Sequence, residues 1–200
     1  EGAYRVPCVV RWPGQWRSGT VLNGIVSHAD WFVTFLAAAG DATVADRLKQ
    51  GATLDGRDYR VHLDGHDQNP YLRGETDDSP RKHFFYVSDD GDLTAVRYDN
   101  WKVVFLEQRA TGTLQIWAEP FTELRVPKIF NLRTDPFERA DLTSNTYYDW
   151  LLDRAWVLMP VQAYVAQMLA TLVEFPPSQE PASFTIDDVM AKLQAGIPSA

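Results

Sequence analysis

The chain has 200 residues, 45% of them hydrophobic and 23% charged, with a net charge of −8. That length and composition describe one globular domain of ordinary size and exclude a disordered chain. An acidic surface repels phosphate backbones and anionic lipid, so neither nucleic-acid nor membrane-surface partners are expected.

The chain opens on an apolar, β-branched run, Val6 to Trp12, closed by the turn signal Pro13-Gly14. It reads as a strand with Cys8 buried inside it as a small hydrophobe rather than a reactive thiol. Cys8 is the single cysteine, so no disulfide forms within the chain, and the compartment stays open. Ser27-His28-Ala29-Asp30 has the form of a capping box, predicting a helix to about Ala39 with Gly40 as its stop. A second, shorter helix is expected from Asp41 to Gln50. Residues 56–82, rich in Gly, Asp, Asn and Pro, read as a long surface connection with one helical turn near Asn69 to Arg73.

His83 to Ser88, Leu93 to Tyr98 and Trp101 to Gln108 read as a β-meander joined by tight turns. Gly112 to Trp117 and Lys128 to Leu132 are candidates for further extended pieces. From Tyr147 to Leu172 apolar residues recur at helical spacing, and Pro160 is expected to kink or split that helix. Thr185-Ile186-Asp187-Asp188 resembles a further capping box, opening a helix to about Gln194. No run approaches the ~20 consecutive apolar residues of a membrane span. The fold class expected is α+β in this segment, a small antiparallel sheet with a long helix across one face, with the opening strand and Ser27 helix belonging to a larger α/β sheet.

A self-contained catalytic constellation is not found. His62 and His66 lie four apart, but Asp64-Gly65 breaks any helix between them and no third ligand stands out. Asp89, Asp90 and Asp92 around Gly91 lack the closing Glu of a calcium loop and read as a hairpin turn. Nothing brings any two of Asp30, Asp55, Asp58, Glu119 and Glu123 together as an acid–base pair.

Four segments nonetheless carry a resemblance. Glu1-Gly2-Ala3-Tyr4-Arg5-Val6-Pro7, followed by Trp12-Pro13-Gly14, is similar to the E-G-G-x-R-V-P and W-P-G segments of type I sulfatases. Ser27 to Asp30 with Thr34 and Ala39-Gly40 resembles that family's S-x-x-D…T…A-G helix. Ala95-Val96-Arg97 with Trp101-Lys102 resembles its A-V-R…W-K hairpin, and Phe130 to Leu142 its Y-D-L-x-x-D-P-x-E-x-x-N-L segment. The tail from Thr143 resembles a bacterial arylsulfatase subgroup. In this sequence Ala3 stands where the family has its second Gly, so a positive φ there would carry a steric cost.

The resemblance implies an alkaline-phosphatase-like fold, with residues 1–55 ending a large α/β domain, 56–82 connecting, and 83–200 forming a C-terminal sheet and helix. It implies sulfate-ester hydrolysis by a parent enzyme that holds a divalent metal, calcium in most of the family, and a formylglycine made within C/S-x-P-S-R. Cys8-Val9-Val10-Arg11-Trp12 does not match that motif, so neither catalytic nor metal-ligating residues are assigned here. The isolated chain is therefore expected to be inactive, its partners being a missing N-terminal catalytic domain, a small sulfate ester in the parent, and further copies if the parent is a homo-oligomer. Arg5, Trp117 and Glu119 are the candidate substrate-facing residues at the cleft rim; for Arg5 the alternative is a pairing with a local carboxylate. Two other readings stay open: a phosphatase or phosphodiesterase of the same superfamily, and a non-catalytic binding or assembly domain.

Overall fold

The computed structural model describes residues 1–108, 110 and 112–177. The helix expected over 185–194 lies outside the described residues. Two sheets form. One is a hairpin of β1 (Ala52–Leu54) and β2 (Arg57–Tyr59), turned at Asp55 and Gly56, both with positive φ. The other is a four-stranded antiparallel meander, β3 (His83–Val87), β4 (Leu93–Tyr98), β5 (Trp101–Gln108) and β6 (Phe121–Asn131), in sequential order.

The meander follows from its turns. Asp99 takes φ +51° between β4 and β5, and Gly91 takes φ +89° between β3 and β4, as tight hairpin turns require. β6 absorbs the predicted Lys128–Leu132 piece and is longer than expected. Pro127 is tolerated because β6 is the edge strand and its register with β5 shifts between Val104 and Leu106. The Tyr147 hydroxyl closes part of that edge, donating to Ile129 O and accepting from Ile129 N, both at 3.0 Å. Gly112 to Trp117 is not a strand. It leads into a one-turn helix, α4 (Gln115–Ala118), preceded by Thr113 at φ +59°.

The helices largely match their sequence signals. α1 (His28–Ala38) starts with the full Ser27–Asp30 capping box, and Gly40 follows it at φ +104°. α2 (Val44–Gln50) packs against α1 through Val33, Val44 and Leu48. α3 (Asn69–Arg73) is the single turn expected within the connection, ended by Gly74 in the left-handed region. After α5 (Ala140–Thr143) and α6 (Tyr147–Leu152), a 3-10 turn at Ala155–Val157 leads into α7 (Leu158–Glu174). The helix expected from Tyr147 to Leu172 is thus split in two, one of the outcomes expected of Pro160: α7 begins two residues before it, and in a first turn the missing N–H has no helical partner to lose.

α6 and α7 cover one face of the meander. Val96, Val103, Ile129, Leu132, Tyr147, Leu151, Val157 and Val161 form the main core, each at most 5% exposed. Strand alternation puts Lys102, Arg97 and Tyr86 on the opposite face.

Two expectations about the chain's opening are corrected. Val6 to Trp12 forms no strand, and Cys8 is exposed. A β-prone segment stays unpaired when no neighbouring strand satisfies its backbone, and none of the described strands lies beside it. Ala3 avoids the anticipated strain because its φ is not positive. In the tail, Ala155–Glu174 reaches the length and, at mean hydropathy 1.4, the composition of a membrane span, and 11% of its most apolar stretch is buried in the chain. Gln162, Tyr164 and Gln167 break its apolar run, but no charge interrupts it before Glu174.

Candidate functional site

The polar face of the meander receives residues 1–5. Tyr86, buried at 3% exposure, donates its hydroxyl to Glu1 Oε1 at 2.6 Å, and Arg97 Nη1 stands 3.9 Å from the same oxygen. Lys102 Nζ lies 2.7 Å from Glu138 Oε1 and 4.3 Å from the Tyr86 ring centre. Glu138 Oε2 accepts from the Glu1 amino group. The Tyr4 ring packs edge-on against Tyr86 at 4.7 Å. Charged and phenolic groups thus meet in a nearly dry junction, where the Glu1 side chain is 3% exposed. Glu1 Oε2 is buried there without a hydrogen-bond partner among the described residues, a costly state for a carboxylate oxygen.

Electrostatics in the junction follow from that geometry. Burial and then the hydrogen bond to Glu1 push the Tyr86 phenol well above its ordinary range. Burial pushes the Glu138 carboxyl up, but the hydrogen bond and charge of Lys102, with the Glu1 backbone nitrogen, outweigh it and hold its pKa below the usual value. Glu138 itself sits at φ +54°, strained backbone for a residue with a Cβ, in the Asp135-Pro136-Phe137-Glu138 turn that follows β6.

A second network fastens α1 to the connection. Arg81 grips Asp30 with Nε at 2.9 and 3.1 Å and Nη2 at 2.6 Å, and Nη2 also donates to Asp64 O at 2.6 Å. Asp30, fully buried, further accepts from the Ser27 and His66 amides and from Gln68 Nε2. Burial raises its pKa, and Arg81 with these amides more than reverses that, so the carboxylate stays charged. Thr34 Oγ1 donates to His66 O and accepts from the Gln68 amide. Gly65 has no Cβ because one would collide with Ala29 O on α1. Every Asp30 carboxylate oxygen is occupied, so this is a clamp rather than a catalytic carboxylate.

The structure does not gather the sequence-derived candidates. Arg5 is exposed and makes no ion pair among the described residues; its amide donates to Glu1 O. Trp117, 79% exposed, and Glu119 lie at α4, where Gln108 Nε2 donates to Glu119 O at 2.5 Å. No hydrogen bond, ion pair or ring contact among the described residues joins Arg5 to either. His62 pairs with exposed Asp64 at 3.3 Å, and no group of three or more His, Cys, Asp or Glu that could hold a metal occurs among the described residues. The donors present therefore do not fit the divalent metal the resemblance implies. Sequence reasoning passed over Tyr86, Lys102, Glu138 and Arg81. Glu138 stood inside a quoted motif, as did Lys102, but neither carried a signal of its buried partner.

A family model, the C-terminal region of aryl-sulfatase, matches residues 79–194, more than half of the chain. The chain belongs to the aryl-sulfatase family. Mouse steryl-sulfatase is 32% identical to this sulfatase chain over 158 residues, which are 72% of the chain and 23% of that protein. Dog N-acetylgalactosamine-6-sulfatase is 31% identical over 196 residues, covering 88% of the chain and 33% of its own length. The crystal structure of PsFucS1 sulfatase from Pseudoalteromonas sp. superposes with a TM-score of 0.56 at 24% identity, over 84% of this chain and 30% of that one, and so shares the fold. The chain thus spans a quarter to a third of the length of the curated relatives it matches and corresponds to the C-terminal region of such proteins.

Proposed function

We propose that this chain is the C-terminal part of a sulfate-ester hydrolase whose nucleophile and metal-holding groups lie on polypeptide preceding Glu1. The observation that carries the reading is the uncovered apolar surface of residues 6–39. Val9 is 95% exposed, Val21 81%, Val6 58%, Phe35 57% and Phe32 53%. Val10, Trp12, Trp16 and Phe35 line an open cleft of about 470 Å³ beside α1. So many exposed apolar side chains, with an apolar cleft among them, mark surface built to be covered. A preceding α/β domain would cover it, and would pair the backbone of Val6–Trp12 as the strand its composition favours. The orphaned Glu1 Oε2 is consistent with a donor arriving from the same direction.

On this reading the meander is a brace. Tyr86, Arg97, Lys102 and Glu138 hold the residues that emerge from the catalytic domain, and the Asp30–Arg81 clamp fixes α1 against the connection. The nucleophile and the metal-borne charge stabilisation that such hydrolysis needs would be supplied by the parent's preceding polypeptide, and this chain's residues would contribute positioning. Arg5, the first cation after the junction, is proposed to lie nearest the sulfate. Trp117 and Glu119, on an exposed segment, are proposed to line the rim of a cleft for a small aryl sulfate. Subunit contacts of the parent are proposed to use the same C-terminal part.

The test compares aryl-sulfate hydrolysis by the purified 200-residue chain with that of the longer gene product encoded ahead of and including it. Turnover is expected only from the longer protein, and it should disappear on chelation of its metal. Metal-dependent turnover by residues 1–200 alone would overturn the proposal.

A further inference from the structure

An unusual aromatic cluster lies on the helix-covered face of the meander, opposite the Glu1 junction. Trp101, at the start of β5, meets Trp156 edge-on at 5.6 Å and Trp150 at 6.1 Å with a 36° tilt. These rings are not sealed into the core: Trp156 is 56% exposed. With Asn131, Asp153 and Arg154 they line an open cleft of about 550 Å³, a size typical of small-molecule sites.

The polar groups at this cleft are underused. The Asp153 side chain is 77% exposed, and its nearest cation, Arg154 Nη1, is 3.6 Å away. Arg154 stacks 4.8 Å above the Trp150 ring and donates through Nη1 to Trp150 O, leaving other guanidinium N–H groups without hydrogen-bond partners among the described residues. Asn131 Oδ1 accepts the Arg133 amide, and its amide nitrogen has no partner among the described residues.

We propose that this cleft binds a pyranose saccharide. A sugar ring presents a flat C–H face and an equatorial belt of hydroxyls. The half-exposed Trp156 indole, backed by Trp101, supplies an apolar platform for the first, as an aromatic ring with a polar rim does in wet binding sites. The Asp153 carboxylate accepts from hydroxyls, while Arg154 and Asn131 donate to them, so both hydrogen-bonding senses are present. An apolar helix or lipid chain would leave those three polar side chains unmatched. The net charge of −8 disfavours a nucleic-acid chain. The site consists wholly of residues in this chain and does not rest on the sulfatase proposal.

The test titrates the full 200-residue chain with cellohexaose, with unsulfated chondroitin hexasaccharide and with chondroitin 6-sulfate hexasaccharide, following tryptophan emission. At least one saccharide is expected to shift the emission saturably. Response to a neutral sugar would assign ring stacking and hydroxyl contacts as sufficient, and response to the sulfated one alone would add the Arg154 charge to the site. Trp156→Ala should weaken binding about tenfold or more, the loss of one stacking platform. Asp153→Asn should weaken it less. The Asp153 side chain is largely exposed, so Asp153→Asn should unfold like the parent chain, whereas Trp156→Ala loses its contact with Trp101 and is compared below its own unfolding transition. Absence of a saturable shift with all three sugars would overturn the proposal, as would unchanged affinity in Trp156→Ala. So would a Trp156→Ala chain that loses only self-association in sedimentation while no sugar acts on the unsubstituted chain.

Discussion

Replacing Arg81 with Met probes the clamp most directly. Methionine keeps the apolar stem, so little cavity opens, but the Arg81 contacts to Asp30 and to Asp64 O all disappear. Asp30 remains fully buried and charged, with only the Ser27 amide, the His66 amide and Gln68 Nε2 to satisfy it. Removing one partner of a buried ion pair costs about 3–5 kcal/mol, and the three remaining donors put the loss near the lower end. With a urea m-value of about 2 kcal/mol/M, the unfolding midpoint should fall by about 1.5 M, read by far-UV circular dichroism at pH 7. The penalty should also narrow on acidification. In the native chain the Asp30 pKa is held below 3.8, so its contribution persists down to that pH and is lost only as pH falls through the folded value. Without Arg81, burial dominates and raises the carboxyl's pKa, so protonation relieves the variant at a higher pH. A pH-independent loss under about 1 kcal/mol would show that the pair is not the buried clamp described, because exposed pairs contribute that little.

Two further outcomes are expected. Burial, reinforced by Arg81, depresses the pKa values of His66 and His83 below 6.5, so the unfolded chain takes up protons first. Stability should be level above about pH 6.5 and decline as pH falls toward the folded values, and urea midpoints between about pH 7.5 and 5 would reveal a flat profile if this is wrong. Tyr86→Phe removes the hydroxyl that bonds the buried Glu1 carboxylate, a charge-assisted bond contributing about 1.5–3 kcal/mol. Residues 1–5 should detach more often, so trypsin should cleave after Arg5 faster than in the unsubstituted chain, while cleavage at an unchanged rate would mean that Tyr86 does not hold them.

Local rules made most elements legible. The meander could be read because its strands are short, apolar and separated by Asp-rich and Gly turns whose backbone demands are strictly local. The Ser27–Asp30 cap could be read because its partners are three residues apart. Pro160 was visible as a helix signal, but whether it kinks or merely sits in a first turn depended on where α7 begins, which the packing of Val157 and Val161 decides. The β1–β2 hairpin was hidden in a polar stretch, since its three-residue strands carry too little apolar pattern to register.

By itself, the sequence determined the fold class, the meander and the family to which residues 1–142 were likened, because turn chemistry, hydrophobic period and motif order are all written along the chain. Only the tertiary structure decided that Asp30 faces Arg81, 51 residues away, that Glu1 meets Tyr86 and Glu138, and that Trp101, Trp150 and Trp156 share one cleft. Such contacts join groups whose identities are individually ordinary, and their meaning arises from burial and distance, which no local pattern encodes. For the same reason Val6–Trp12 carries the composition of a strand without being one here: a strand is completed by the neighbour that accepts its hydrogen bonds.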